Sequence, residues 1–186
     1  MIAADEVTDI AVREVRQSDL PAIQRIYAHH VLHGLGSFEE QPPDVATLLA
    51  RFSTLWERGL PSLVADCRGQ VRGYAYAGPF RPRSAYRHTV EDSVYVDPAV
   101  ARCGVGRSLL GALVVRCTAL GFRQMIAVIG DSDNTASIRL HTALGFRHAG
   151  IIHGVGFKHG RWVDVVLMQR ALGEGGGSLP TAGEPP

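Results

Sequence analysis

The chain has 186 residues, 46% of them hydrophobic, and a formal net charge of +1, which suits one soluble domain with a full core, leaves too little for two, and excludes the strongly basic face of a nucleic-acid binder. Its three cysteines, Cys67, Cys103 and Cys117, form no C-x-x-C pair, so a disulfide framework and a zinc knuckle are both poor readings and a reduced, cytoplasmic setting is expected. The opening MIAADEVTDI has acids where a secretory leader wants bases, and no stretch approaches the roughly 20 apolar residues of a membrane span.

Residues 1–9 are expected to be loose. IAVREVR, residues 10–16, alternates apolar and polar side chains, as a half-buried strand does. Ser18 is placed to cap a helix that tolerates Pro21 in its first turn, carries Ile23, Ile26, Tyr27 and Val31 at helical spacing, and ends at Gly34. After Pro42-Pro43, Asp44 caps a second helix with the stripe Leu48, Leu49, Phe52 and Trp56, stopped at Gly59. SLVADC and QVRGYAYAG flank Arg68-Gly69 as a hairpin.

A loop over 79–88 is rich in Arg, Pro and Ser. Residues 90–97 form a strand stopped by Pro98, and a glycine-containing turn at 101–106 opens a third helix with the stripe Leu109, Leu110, Leu113, Val114 and Cys117. The apolar run 125–129 suits a strand buried on both faces. Ser132 or Asp133 caps a fourth helix ending at Gly145, and strands near 146–155 and 162–170 follow. The order βααββ–β–α–β–α–ββ implies an α/β fold with a mixed sheet and one core, as a single domain over 10–172. The Gly/Pro-rich tail 173–186 is expected to be disordered.

The stretch VYVDPAVARCGVGRSLLGALV carries the clearest chemistry. A strand ends, a turn holds Gly104 and Gly106, and a helix begins at once. Glycines admit a ligand close to the backbone, and the free N–H groups of a helix start form an anion site suited to a pyrophosphate. An ordinary tight turn before a helix gives the same pattern. A Walker loop needs a Lys that is absent, and a dinucleotide fingerprint needs a glycine at position 109, which is Leu109. Asn134 and His141 stand seven residues apart, nearly on one helical face; a solvated face with a polar cap would look alike.

Taken together, Gly104-x-Gly106 after VYV, Asn134 and Leu144-Gly145-Phe146 resemble the GNAT acetyltransferase superfamily. YAYAGPFRPRSAY, TVEDSVYV, AVIG and GFKHGRW resemble its phosphinothricin and methionine sulfoximine (sulfone) branch, across roughly residues 10–170. The resemblance implies a mostly antiparallel sheet of about seven strands with helices on both faces. It implies acetyl-CoA as donor, no metal, and transfer to the α-amino group of a small amino-acid-like molecule. Herbicide or antibiotic resistance is the trait it implies, and a homodimer the assembly.

By the same resemblance, Val94, Tyr95, Val96, Gly104, Val105, Gly106, Arg107 and Asn134 hold the cofactor. Glu91 is the general base, and His141 an acid or an orienting group. Phe38, Arg81, Arg83 and Tyr86 meet the substrate, with Lys158 and His159 of GFKHGRW lent by a partner subunit. The usual Gln or Arg three residues before the first glycine is Ala101 here, with Arg102 beside it. Asp92 should point to the face opposite Glu91 if the strand is regular. His29 and His33 lack an acidic third ligand, so a metal pair is not expected. Acetylation of a peptide terminus or polyamine, and a non-catalytic acyl-CoA-binding module, are the competing readings.

Overall fold

The computed structural model describes residues 9–180; residues 1–8 of the expected loose start and 181–186 of the expected tail lie outside the described residues. Its elements run β1 (Ile10–Glu14), α1 (Leu20–His33), α2 (Val45–Glu57), β2 (Ser62–Cys67), β3 (Gln70–Pro79), β4 (Thr89–Val96), α3 (Val105–Ala119), β5 (Gln124–Gly130), α4 (Thr135–Ala143), β6 (Arg147–Lys158) and β7 (Arg161–Ala171). The seven strands form one sheet in the order β1-β2-β3-β4-β5-β7-β6, in which only β4 and β5 are parallel.

Alternation along the strands feeds two cores. Ala75, Ala77, Val90, Met125 and Ala127 meet Leu109, Leu110, Leu113 and Cys117 of α3, with Ile138, Leu140 and Leu144 packed alongside. Tyr74 and Val64 face the other way, against Ile23, Tyr27 and Val31 of α1 and Leu48 and Phe52 of α2. Removing a buried leucine such as Leu113 would cost about 2–5 kcal/mol, so these stripes hold the layers together.

Local signals were overridden in three places. Ser18 does not cap α1: it sits in a 3-10 turn over 17–19, because the Asp19 carboxylate accepts the Arg16 N–H at 2.8 Å and the Arg13 guanidinium at 2.7 Å. Neither Ser132 nor Asp133 caps α4. Ser132 donates to Asp164, and Asn134 takes the cap by accepting the Ser137 N–H at 3.2 Å. Val128, expected inside, is exposed, because β5 has by then parted from β4. The Asp44 cap does form, accepting the Thr47 N–H at 2.7 Å. Both hairpin turns, Arg68-Gly69 and His159-Gly160, take positive φ at each residue, as the right-handed twist of the paired strands favours. After Leu172, residues 174–178 turn back under Arg123, which donates to the Gly175 carbonyl at 2.9 Å and to Ser178.

The feature that places the site is a split in the sheet. β4 pairs with β5 only from Thr89 to Asp92, against Gln124 to Ala127. Beyond that point β4 follows β3 to Val96, and β5 follows β7 to Gly130. The inner edges of Ser93–Val96 and of 128–130 therefore lack a ladder partner, and a wedge opens between them.

Candidate active site

A cavity of about 780 Å³ fills the wedge. Its walls include Val94, Tyr95 and Val96 of β4, the turn residues Gly104, Val105, Gly106 and Arg107, and Asn134 and His141 of the α4 segment. All eight expected cofactor-side residues and the acid candidate thus share one space. Arg102, beside Ala101 in the turn, lines it as well, and so do Arg139, His30 and Asp92, which were not expected there.

The turn suits an anion. Gly104 adopts φ +85°, a left-handed conformation costly for other residues, and no Cβ would meet a neighbour there. The first helical bond of α3 runs from the Ser108 N–H to the Gly104 carbonyl at 3.0 Å. The N–H groups of 105–107 therefore have no partner inside the helix, and these residues line the wedge. A Cβ on Gly106 would come within 3.2 Å of Leu140 Cδ2. The absence of side chains at 104 and 106, the free amides and the two arginines fit a pyrophosphate. The unpaired β4 edge fits an extended amide chain.

Asn134 lines the wedge, yet both ends of its side chain serve its own chain, since its Nδ2 also donates to the Gly130 carbonyl at 3.4 Å. His141 is buried. Its Nδ1 lies 2.8 Å from the Ser137 carbonyl and its Nε2 3.0 Å from Asp92 Oδ2. Burial opposes its charge, but the Asp92 hydrogen bond and carboxylate raise its pKa above the ordinary histidine value.

Glu91 and Asp92 do face opposite sides. Glu91 looks toward the α1/α2 layer, where Tyr27, Tyr74 and Tyr95 pack as an aromatic floor with Tyr76 beside them. Burial raises the Glu91 pKa, the Asp92 charge adds to it and Arg81 opposes it. The loop beyond β3 stacks Phe80 against Tyr86 at 5.7 Å and Arg81 over Phe80 at 5.1 Å. Arg83 is exposed at the start of a 3-10 turn in the same loop. Phe38 lies across Gly156 and beside Gly130, where added side chains would collide with its ring.

Lys158 does not project from its hairpin. It is 2% exposed and donates to the Ser37 carbonyl of its own chain at 2.7 Å. The turn was expected to lend both Lys158 and His159 outward; only His159, at the exposed tip, remains placed to do so. Lysine is among the residues least often fully buried, so nothing in the sequence signalled this. Among the described residues no three His, Cys, Asp or Glu side chains converge as a metal site, and no helix is long and apolar enough to cross a membrane.

Comparison with known proteins agrees with this geometry. The acetyltransferase (GNAT) domain family matches residues 12–167. The chain belongs to the GNAT acetyltransferases. It is 56% identical to the phosphinothricin N-acetyltransferase of Alcaligenes faecalis over 169 residues, covering 91% of this chain and 86% of that one. It is 43% identical to the L-methionine sulfoximine/L-methionine sulfone acetyltransferase of Pseudomonas aeruginosa, covering 87% and 94%. The crystal structure of a GNAT phosphinothricin acetyltransferase from Sinorhizobium meliloti in complex with acetyl-CoA superposes with a TM-score of 0.91 at 51% identity, covering 94% of this chain and 95% of that one. The chain is accordingly an N-acetyltransferase with acetyl-CoA as donor.

Proposed function

We propose that this acetyltransferase modifies the α-amino group of a small amino-acid-like substrate of the phosphinothricin, methionine sulfoximine or methionine sulfone type, with Glu91 as general base. The observation that carries the reading is the position of Glu91. It lies one residue before the wedge opens, half-buried, beside the charge of Arg81 and on the sheet face opposite His141. An amine must lose a proton before it attacks a thioester, and a carboxylate whose burial raises its pKa is suited to take it. Arg81, Arg83 and Tyr86 supply donors for the acidic end of such a substrate, Arg being suited to bidentate recognition. The unpaired edge of β4, the amides at 105–107 and Arg107 would hold acetyl-CoA, which supplies the acetyl group as a thioester. Asn134 would shape the wall near its reactive end.

The same reading includes a homodimer in a cytoplasmic setting. β6 is an edge strand, and Val155, Phe157 and Trp162 stand exposed on the β6–β7 hairpin, Trp162 at 69%. Phe157 and Trp162 pair edge-on at 5.3 Å, forming an apolar ridge that a second copy would cover. Sedimentation showing a fully active monomer would remove the shared-site part.

The deciding assay is thiol release from acetyl-CoA across a panel of amines. Methionine sulfone and phosphinothricin should exceed spermidine and a peptide terminus in kcat/KM. The reverse order would move the assignment to another amine, and no turnover with any amine would favour a binding module.

A further inference from the structure

The buried contact between β4 and α4 has a proton count that can be read from its partners. A carbonyl oxygen only accepts, so His141 Nδ1 must carry a hydrogen to bond Ser137 at 2.8 Å. The 3.0 Å contact between Nε2 and Asp92 Oδ2 needs a proton of its own. The pair therefore holds one shared proton, as imidazolium with carboxylate or as imidazole with carboxylic acid. Without it, a nitrogen lone pair would face a carboxylate oxygen where Asp92 and His141 side chains are only 2% and 5% exposed. Asp92 Oδ1 is also buried without a hydrogen-bond partner among the described residues, so the carboxylate depends on His141.

The pair is built into the wall of the wedge. Asp92 is the last residue of β4 paired to β5, at the apex where the strands part. Phe146 sets its ring edge-on to His141 at 4.9 Å, fixing the imidazole from the far side. The groups that feel the Asp92 charge are Glu91, across the sheet, and Cys117 of α3, whose thiol is pushed up to about 12 by burial and by Asp92. Cys117 thus stays a neutral thiol.

We propose that Asp92 is a positioning residue of the transfer: with His141 it holds one shared proton at the apex of the wedge and releases it, through His141, to the departing thiolate. The inference rests on the reading of Glu91 as base, which puts the reacting thioester at that apex. The amine forms its bond to the acetyl carbon, and the carbon–sulfur bond breaks with its electron pair on sulfur. The shared proton moves to that sulfur and gives the free thiol. The two protons shed by the attacking ammonium go to Glu91 and to solvent, and one returns from solvent to the pair. The two faces of the sheet thereby divide the work, removing protons on the α1/α2 side and supplying one on the α3/α4 side.

Asp92→Asn tests this, because the amide NH2 can donate to an unprotonated Nε2 and keep the ring in place. The expected result is a fall in kcat of about 10²-fold, in the range typical of general acid–base catalysis, with KM for acetyl-CoA unchanged. The alkaline limb of the kcat profile should move to lower pH, and nitrogen NMR should show the His141 titration lowered. Asp92→Glu, which keeps a carboxylate, should recover part of that limb. In His141→Gln, adding Asp92→Asn should cost little more, since the two act as a unit. An unmoved alkaline limb, an unmoved His141 titration, or additive losses in the double variant would each overturn the proposal. Glu91→Gln reads the other side independently: if it leaves the acidic limb in place while Asp92→Asn moves the alkaline one, the base assignment fails and the proton-holding pair stands.

Discussion

Gly104 offers the sharpest test of the cofactor turn, because its two reasons to be glycine can be told apart. Its φ of +85° is left-handed, yet a Cβ there would find nothing within 4 Å. Alanine would therefore cost conformation and not space, about 1–2 kcal/mol for an L-residue in that region. If the turn holds its shape in the free enzyme, the whole cost falls on folding and lowers Tm by roughly 2–4 °C per kcal/mol in a domain of this size. If the free turn relaxes, binding must restore it, and acetyl-CoA affinity falls by about 5–30-fold. Calorimetry and a thermal melt on Gly104→Ala together should account for the 1–2 kcal/mol. Gly106→Ala is the control for the backbone cost: its helical backbone accepts a side chain and the 3.2 Å approach to Leu140 Cδ2 is to the end of a flexible side chain, so its melt should hold even where the added Cβ weakens acetyl-CoA binding. A Gly104→Ala protein with both melt and affinity unchanged would refute the argument that this backbone conformation is needed.

Glu91→Gln keeps shape and loses the proton acceptor, so kcat should fall by about 10²–10⁴-fold with acetyl-CoA affinity little changed; near-normal turnover would assign the proton to another group. The same variant should melt at a higher temperature at neutral pH, since burial works against the ionised carboxylate in the folded state. Arg83→Ala removes a charged donor and should raise KM for an acidic amine by roughly ten- to hundredfold, from about 1.5–3 kcal/mol per charge-assisted bond. Equal effects on acidic and non-acidic amines would detach Arg83 from recognition.

Much of this was legible in the sequence, for identifiable reasons. The stripes of α1, α2 and α3 repeat at helical spacing and all found cores. The glycine turn announced itself because a helix started immediately after a strand. The alternation in TVEDSVYV was enough to send Glu91 and Asp92 to opposite faces. What could not be read is what depends on distant partners. Asp92 and His141 lie 49 residues apart, and only the parallel docking of β5 brings α4 back over β4. The insertion of β7 between β5 and β6 follows from sheet order, which a chain of strand signals does not encode. His30 reaches the Val96 carbonyl at 2.8 Å from a helix that looked merely amphipathic. Asn134 took the α4 cap while the Ser132 hydroxyl was committed to Asp164.

Two histidines on the cavity wall respond to pH in opposite senses, and this separates the proton pair from simple burial. His30 donates through Nε2 to the Val96 carbonyl, and burial lowers its pKa below the ordinary 6.5, with that bond and Asp97 opposing. Its contribution to stability is present above 6.5 and lost as pH falls through the lowered value. His141 is shifted the other way, against burial, by Asp92. Its contribution is present below 6.5 and lost as pH rises through the raised value. Glu91, raised from 4.5, acts in the same sense as His141 but starts lower. In the wild-type protein the His30 loss falls below about pH 6.5 and the His141 loss above it, so the two histidines together give Tm a maximum near that pH. Asp92→Asn removes the His141 term and leaves that of His30, so its Tm should climb relative to wild type as pH rises. His30→Gln, whose amide can still donate to Val96, leaves the His141 term, so its Tm should decline relative to wild type. The two difference curves should therefore slope in opposite directions. Parallel curves would mean that Asp92 does not hold the His141 proton, whatever the two side chains do for catalysis.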